Sequence, residues 1–235
     1  MLSQAGPYSA YRDSGLRWLG KLPAHWDFRR AKFFLREVDE RSTTGNEEML
    51  SVSHKTGVTP RSQKSVTMFL AESNVGHKVA MPGDVVVNTM WAWMAALGVS
   101  SRDGIVSPSY GVYRPRRAGT FDPAFLDALL RTPAYRAEYA TRSTGITDSR
   151  LRLYADEFLS IPIPHPPMDE QLAIARCVAY VNWQAREFVE AKNALINRLE
   201  EQQLAVINRA TTSGLNPSVE LKPSGVNGLG GIPLH

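Results

Sequence analysis

MDEQLAIARCVAYVNWQAREFVEAKNALINRLEEQQLAVINRATTSG, Met168 to Gly214, contains no proline and no glycine before its last residue. Apolar residues recur in steps of four and three: Ile174, Val178, Val181, Ala185, Phe188, then Leu195, Leu199 and Val206. Lys192 and Gln202 interrupt the seam. The spacing predicts one long helix with a coiled-coil-like stripe. Asp169 and Glu170 stand in its first turn, where carboxylates favour the helix dipole, and Gly214 follows as a stop. At 1.5 Å per residue such a helix reaches about 65 Å. A stripe of that length cannot bury itself, and no other stretch here is comparable, so the expected partner is a helix from outside the chain.

The region before the helix follows a different rule. From Leu50 to about Ile163 the chain reads as short strands and turns. MPGDVVV (Met81–Val87) is a turn feeding a β-branched run. Trp91 and Trp93 stand two apart, so on a strand they share a face, and large aromatics in such a pattern are expected in the core. GIVSPSYGVYRP (Gly104–Pro115) reads as a strand broken at Pro108. Phe125, Leu126, Leu129 and Leu130 have helical spacing, interrupted at Pro133. FLSIPIPHPP (Phe158–Pro167) reads as a final strand leaving the body. The expected class is α+β: a globular mixed-sheet domain over residues 1–167, a long helix over 168–212, and a linker over 213–235.

Composition excludes several alternatives. The 235 residues are 43% hydrophobic and 21% charged, ordinary for a soluble globular protein. No run of 18 apolar residues occurs, and the start lacks a basic flank before an apolar core, so neither a membrane span nor a signal peptide is expected. A cytoplasmic location is the expectation. The single cysteine, Cys177, excludes an internal disulfide and a cysteine-based zinc site, and is expected as a small buried apolar residue. The net charge is +4, and residues 55–117 carry eight basic side chains against three acidic ones. A local basic excess suits a polyanion such as nucleic acid; a solvated basic surface is the plain alternative.

The last twelve residues, SGVNGLGGIPLH (Ser224–His235), echo SGLRWLGKLPAH (Ser14–His25), with Ser, Gly, Leu, Gly, Pro and His in common. The offset is 210 residues, since Ser14 becomes Ser224. Trp18 is replaced by Gly228, and no counterpart of Trp26 follows His235. The chain therefore reads as one period of a tandem repeat with the opening of a second.

These stretches resemble the specificity subunit of type I restriction-modification systems, in which two target recognition domains alternate with two conserved helices. YRDSGLRWLGKLPAHW (Tyr11–Trp26) resembles that family's lead-in to a recognition domain. PIPHPPMDEQLAIA (Pro162–Ala175) is similar to its proline-rich exit into the helix, and INRLEEQQLAVINRATTSGLN (Ile196–Asn216) to the helix end. What is present corresponds to one recognition domain and one helix, half of the two-domain subunit. A natural half-length subunit, a frameshifted gene and a truncated chain all fit. The resemblance implies a non-catalytic protein that reads one half of a split double-stranded DNA target. It also implies that the helix serves as spacer and as docking site for methyltransferase subunits, in complex with a restriction subunit. Pairing of the long helix with a second copy, or with another specificity half, would complete the target.

Signatures of catalysis are weak. Ser107-Pro108-Ser109-Tyr110 approaches an adenine-methyltransferase loop but lacks its second proline and any accompanying glycine-rich turn. Asp84 is read as a turn residue, with no Glu-x-Lys after it. No P-loop occurs, and His25, His54, His77, His165 and His235 are scattered without metal-ligand spacing. No cofactor is expected.

DNA contacts need basic and polar side chains on loops that reach a groove. SVSHKTGVTPRSQKSV (Ser51–Val66) offers Lys55, Thr59, Arg61, Gln63 and Lys64; Arg suits guanine and Gln suits adenine. RSTGITDSRLR (Arg142–Arg152) offers Arg142, Ser149, Arg150 and Arg152, and Arg102 is a third candidate. Two rival readings stand beside this one. A methyltransferase-related fragment would bind S-adenosylmethionine by itself. A helix-mediated assembly factor would not touch DNA at all.

Overall fold

The computed structural model describes residues 8–63, 73–146, 151–215, 218, 220–227 and 230–234, with Ser213 described by its backbone. Its contacts divide into two units, Met1–Val178 and Ala179–His235.

The first unit opens with a hairpin of β1 (Tyr11–Asp13) and β2 (Lys21–Pro23). Then come β3 (Asp27–Arg30), a 3-10 turn at Ala31–Phe33, and β4 (Leu35–Glu37). The hairpin β5 (Leu50–Ser53) and β6 (Gly57–Pro60) follows, then β7 (Lys78–Ala80), β8 (Val85–Val87) and β9 (Leu97–Val99). Next are β10 (Gly104–Val106) and β11 (Gly111–Pro115). Three helices, α1 (Pro123–Leu130), α2 (Pro133–Arg142) and α3 (Ala155–Ser160), precede β12 (Pro162–His165) and the long α4 (Met168–Ser213). This is the expected α+β class with a long helix.

The central sheet has the order β4-β11-β8-β9. Pairs β5-β6, β7-β10 and β3-β12 surround it in antiparallel ladders, and a parallel bridge joins Met49 to Ile105. Both faces of the sheet are covered, which explains the unbroken apolar run of β8. Val85 and Val87 point to one core with Leu35, Leu97, Tyr113, Leu126, Tyr139 and Phe158. Val86 and Val112 point to the other, with Leu50, Val52, Ala80 and Val106. Alternation with period two thus feeds two cores from one strand.

Local chemistry fixes the elements. Asp122 caps α1 by accepting from Phe125 N at 2.9 Å, and Pro123 fills the first helical position. Asp84 is a turn residue, as expected: its Oδ2 accepts from Met81 N at 2.9 Å. It is also 1% exposed and paired through both oxygens with Arg114, at 3.0 Å each. Arg114 reaches on to Glu40 at 2.8 Å, and bonding to the Asp84 carboxylate raises the guanidinium pKa above its usual range.

Four expectations are corrected. Trp91 and Trp93 lie on no strand; Ala92–Met94 is a 3-10 turn, closed by Ala95 at φ +60°. Trp91 is 51% exposed rather than core. Gly104–Pro115 is two strands with a turn between them, closed by Tyr110 N donating to Ser107 O at 3.0 Å, because Pro108 and the hydroxyl residues favour a turn over a kink. Cys177 is half-exposed rather than buried, since the core contacts of this part of α4 are made by Ile174 and Ala175.

Gln171 makes that junction. Fully buried, it accepts from Asp122 N at 2.8 Å and donates to Pro166 O at 2.9 Å. Ile174 packs on the larger core. The Glu170 carboxylate accepts from Tyr8 OH at 2.8 Å, Trp26 Nε1 at 2.9 Å and His25 Nε2 at 2.6 Å. From Ala179 to Arg209 every side chain of α4 is exposed.

The second unit contains the rest of α4, which ends at Gly214 with φ +77°, and a hairpin of β13 (Leu221–Pro223) and β14 (Gly231–Pro233). That hairpin repeats β1–β2 at the 210-residue offset. Tyr11 opposes Pro23 as Leu221 opposes Pro233, and Asp13 opposes Lys21 as Pro223 opposes Gly231. Ser14 N donates to Gly20 O at 3.0 Å, and Ser224 N to Gly230 O at 2.9 Å.

Candidate nucleic-acid interface

The end of the central sheet where β8 finishes and β11 begins gathers four loops. Asn88 Nδ2 donates to Tyr110 OH at 3.0 Å, and Thr89 Oγ1 to Ser109 O at 2.9 Å. These bonds tie the β8–β9 connection to the β10–β11 turn. Leu153 N donates to Thr89 O at 3.0 Å, bringing in the segment between α2 and α3. Arg61, in the 3-10 turn after β6, lies close enough to act electrostatically on Tyr110. Burial pushes the Tyr110 phenol up from its usual value, while Arg61 and the Asn88 amide pull it back.

Exposed apolar groups stand among these polar ones. The Trp91 and Trp93 rings stack at 5.9 Å and 18°, and Trp93 Nε1 donates to Met90 O at 3.1 Å. Met90, Ile146, Arg152 and Tyr154 line a neighbouring cavity of about 470 Å³. Ile146 is 92% exposed and Tyr154 58%. Sequence reasoning assigned the tryptophans to the core and passed over Ile146 and Tyr154. The adjacent turn-forming Asn88 and Thr89 were the available signal that the segment leaves the sheet.

The sequence-predicted residues divide. Arg61, Gln63 and Arg152 are carried by the segments at this end; Arg61 is half-buried, and Gln63 and Arg152 are exposed. Arg152 is held by reciprocal backbone bonds with Thr144 at 2.9 and 3.0 Å. Thr59 is on β6, with its hydroxyl inaccessible and without a hydrogen-bond partner among the described residues. Lys55 sits at the far end of the same hairpin. Its carbonyl and that of His54 accept from Arg131 Nη2 at 2.8 and 3.0 Å, across Gly57, whose φ of +65° suits glycine. Lys55 and Arg61 are therefore separated by the length of β6, about 13 Å. Arg102 is paired with Glu48 at 3.2 Å. Arg142 is engaged by Glu138 at 2.6 Å, Glu157 at 3.3 Å and Ser160 Oγ at 2.6 Å. Lys64, Ser149 and Arg150 lie outside the described residues.

On α4, Ile174 is half-buried, and Val178 (36%), Val181 (44%), Phe188 (63%), Leu195 (50%), Leu199 (55%) and Val206 (68%) are exposed, as is Ala185. Lys192 Nζ lies 5.2 Å from the Phe188 ring centre, so one of the two polar interruptions covers part of the stripe. Among the described residues no helix is long and apolar enough to cross a membrane.

A sheet covered on both faces, entered by a hairpin and left through one long helix, defines a class of fold shared with known proteins. The chain has the fold of type I restriction-modification specificity subunits, over about half the length of the solved structures it matches. One is a chain of a type I restriction-modification system whose complex assembly and conformational transition were determined. It aligns with a TM-score of 0.61 and 18% identity, over 87% of this chain and 49% of that one. Another is the HsdS subunit from Thermoanaerobacter tengcongensis, with a TM-score of 0.54 and 18% identity, over 87% and 48%. No protein-family model and no curated protein matches the sequence.

Proposed function

We propose that this chain, which spans about half the length of the solved structures it matches, acts as a non-catalytic DNA specificity subunit of a type I restriction-modification complex. Residues 1–167 form the target recognition domain, 168–212 the spacer helix, and 213–235 a linker with the start of a second repeat. The observation that carries this reading is the joined end of the sheet, where hydrogen bonds between loops tie Asn88 to Tyr110, Thr89 to Ser109 and Leu153 to Thr89, with Trp91 and Arg152 on the joined segments and Arg61 close to Tyr110.

Such an end separates two tasks. Arg152 and backbone donors suit phosphates, which position the duplex without reading it. Arg61 and Gln63 suit base edges, guanine and adenine respectively. Trp91 and Ile146 add apolar surface for thymine methyls. The exposed stripe of α4 suits a second copy in a two-fold pair, which would make the target an interrupted palindrome. Methyltransferase subunits would dock along this helix and a restriction subunit would join the same complex, with methyl transfer and cleavage carried by those partners in the cytoplasm.

Mapping methylated sites in cells that express this chain with its cognate methyltransferase subunit tests the proposal. The expected result is one bipartite motif with a fixed gap. Methylation with no common motif, or none that depends on this chain, would sink it.

A further inference from the structure

The opposite end of β11 carries a second basic site. Tyr110 and Arg116 are six residues apart along extended chain, about 20 Å. There Asp27, Arg29, Phe33, Arg116 and Arg117 line a cavity of about 450 Å³. Asp27, the one carboxylate in that lining, is taken by Arg29 at 2.8 Å. Arg116 donates Nε to Lys32 O at 2.8 Å and to Leu35 O at 3.2 Å. This pins the guanidinium plane and leaves its two Nη groups as a fixed fork, without a carboxylate among the described residues. Arg117 and Lys32 are exposed and likewise have no acidic partner among those residues. In their midst Phe33 is 58% exposed, with Lys32 Nζ 5.5 Å from its ring centre.

Four cations around one paired carboxylate, with a bare aromatic face between them, match the chemistry of a nucleic-acid strand. Cations follow the phosphates while a base stacks on the ring. A protein partner would need a broad apolar centre, and Phe33 is the one large apolar side chain exposed in this lining. We propose that this cavity is a second, sequence-independent nucleic-acid site that holds a single-stranded segment through its phosphodiester backbone and one base. The inference extends the DNA-binding reading of the opposite end, although it stands on separate residues.

The test measures binding of fluorescein-labelled oligothymidylate and of a labelled mixed-sequence duplex to the full chain, by anisotropy at several salt concentrations. Lys32→Glu combined with Arg117→Glu avoids the Arg116 backbone bonds. It is expected to weaken oligothymidylate binding at least tenfold and to flatten its salt dependence. Phe33→Ala is expected to weaken oligothymidylate about tenfold and to spare the duplex. Arg61→Ala is expected to leave oligothymidylate binding unchanged. The proposal is overturned if the wild type does not bind oligothymidylate, if the charge variant binds it normally, or if Arg61→Ala weakens it equally. If duplex binding ignores Arg61→Ala while oligothymidylate binding still falls with the charge variant and with Phe33→Ala, the reading end is wrong and this site stands.

Discussion

Trp26 donates its indole Nε1–H to Glu170 Oε2 at 2.9 Å, joining the segment after the first hairpin to the first turn of the long helix. Burial alone would raise the Glu170 pKa, but the donors Trp26, Tyr8 and His25 outweigh it and hold the carboxyl below its ordinary 4.5. Its contribution to stability is therefore complete above pH 4.5 and fades as pH falls through the lower folded value. Glu170→Gln should be less stable than the wild type near neutrality, with the gap narrowing below pH 4.5. Urea titrations of both proteins from pH 3 to pH 7, a range of about four units around the shifted group, measure this. A gap that stays constant across the range would remove Glu170 from the junction.

Asp84 and Arg114 form the buried pair of the central sheet. Asp84→Ala leaves the guanidinium with Glu40 alone and should cost roughly 3 kcal/mol. Replacing both partners, Asp84→Ala with Arg114→Met, should recover part of that loss, because no lone charge remains. Denaturant midpoints decide it; a double variant no more stable than Asp84→Ala contradicts the account.

The loops at the reading end make a paired prediction. Arg61→Ala should lower duplex affinity and reduce the slope of log affinity against log salt by about one. Arg102→Ala should change neither, since Glu48 holds that guanidinium at 3.2 Å. Equal effects of the two substitutions would mean that ion pairing does not decide which arginines meet DNA.

How much of this was legible in the sequence depends on range. The helix was, because its periodicity repeats over many turns, and Gly214 marks its end. The echo was, because six residues match in order. The strands β1 to β4 escaped notice because runs of three or four residues carry too little alternation. Trp91 and Trp93 misled because a spacing of two fits a strand and a 3-10 turn alike. The Glu48 partner of Arg102 could not be read, since tertiary packing brings it there, whereas Glu138 stands one helical turn before Arg142 and only its second partner, Glu157, comes from packing.

The exposed stripe on α4 predicts self-association. Phe188→Glu with Leu199→Glu should convert a dimer to a monomer in sedimentation or light scattering, with some loss of helical circular dichroism as an unsupported helix frays. A wild type that stays monomeric at high concentration would exclude a second copy as the partner.

The two hairpins share register and turn bonding, although the second has glycine where the first has Trp18. Trp18 packs edge-on against Tyr135 at 5.0 Å, so the first copy is anchored, yet the strands of the second pair in the same register without that tryptophan in the sequence. The shape is therefore set by nearby residues: Ser224 N bonds Gly230 O, and Gly225 and Gly230 adopt φ of +75° and +66°, as Gly15 and Gly20 do at +72° and +67°. A two-stranded ribbon specified this locally closes in about 1–10 μs, without waiting for distant chain. Alone it is only marginally stable. The lead-in should then form early and flicker until Trp18 finds Tyr135. In amide hydrogen exchange, β1–β2 should be protected by that docking, while β13–β14 exchanges almost freely.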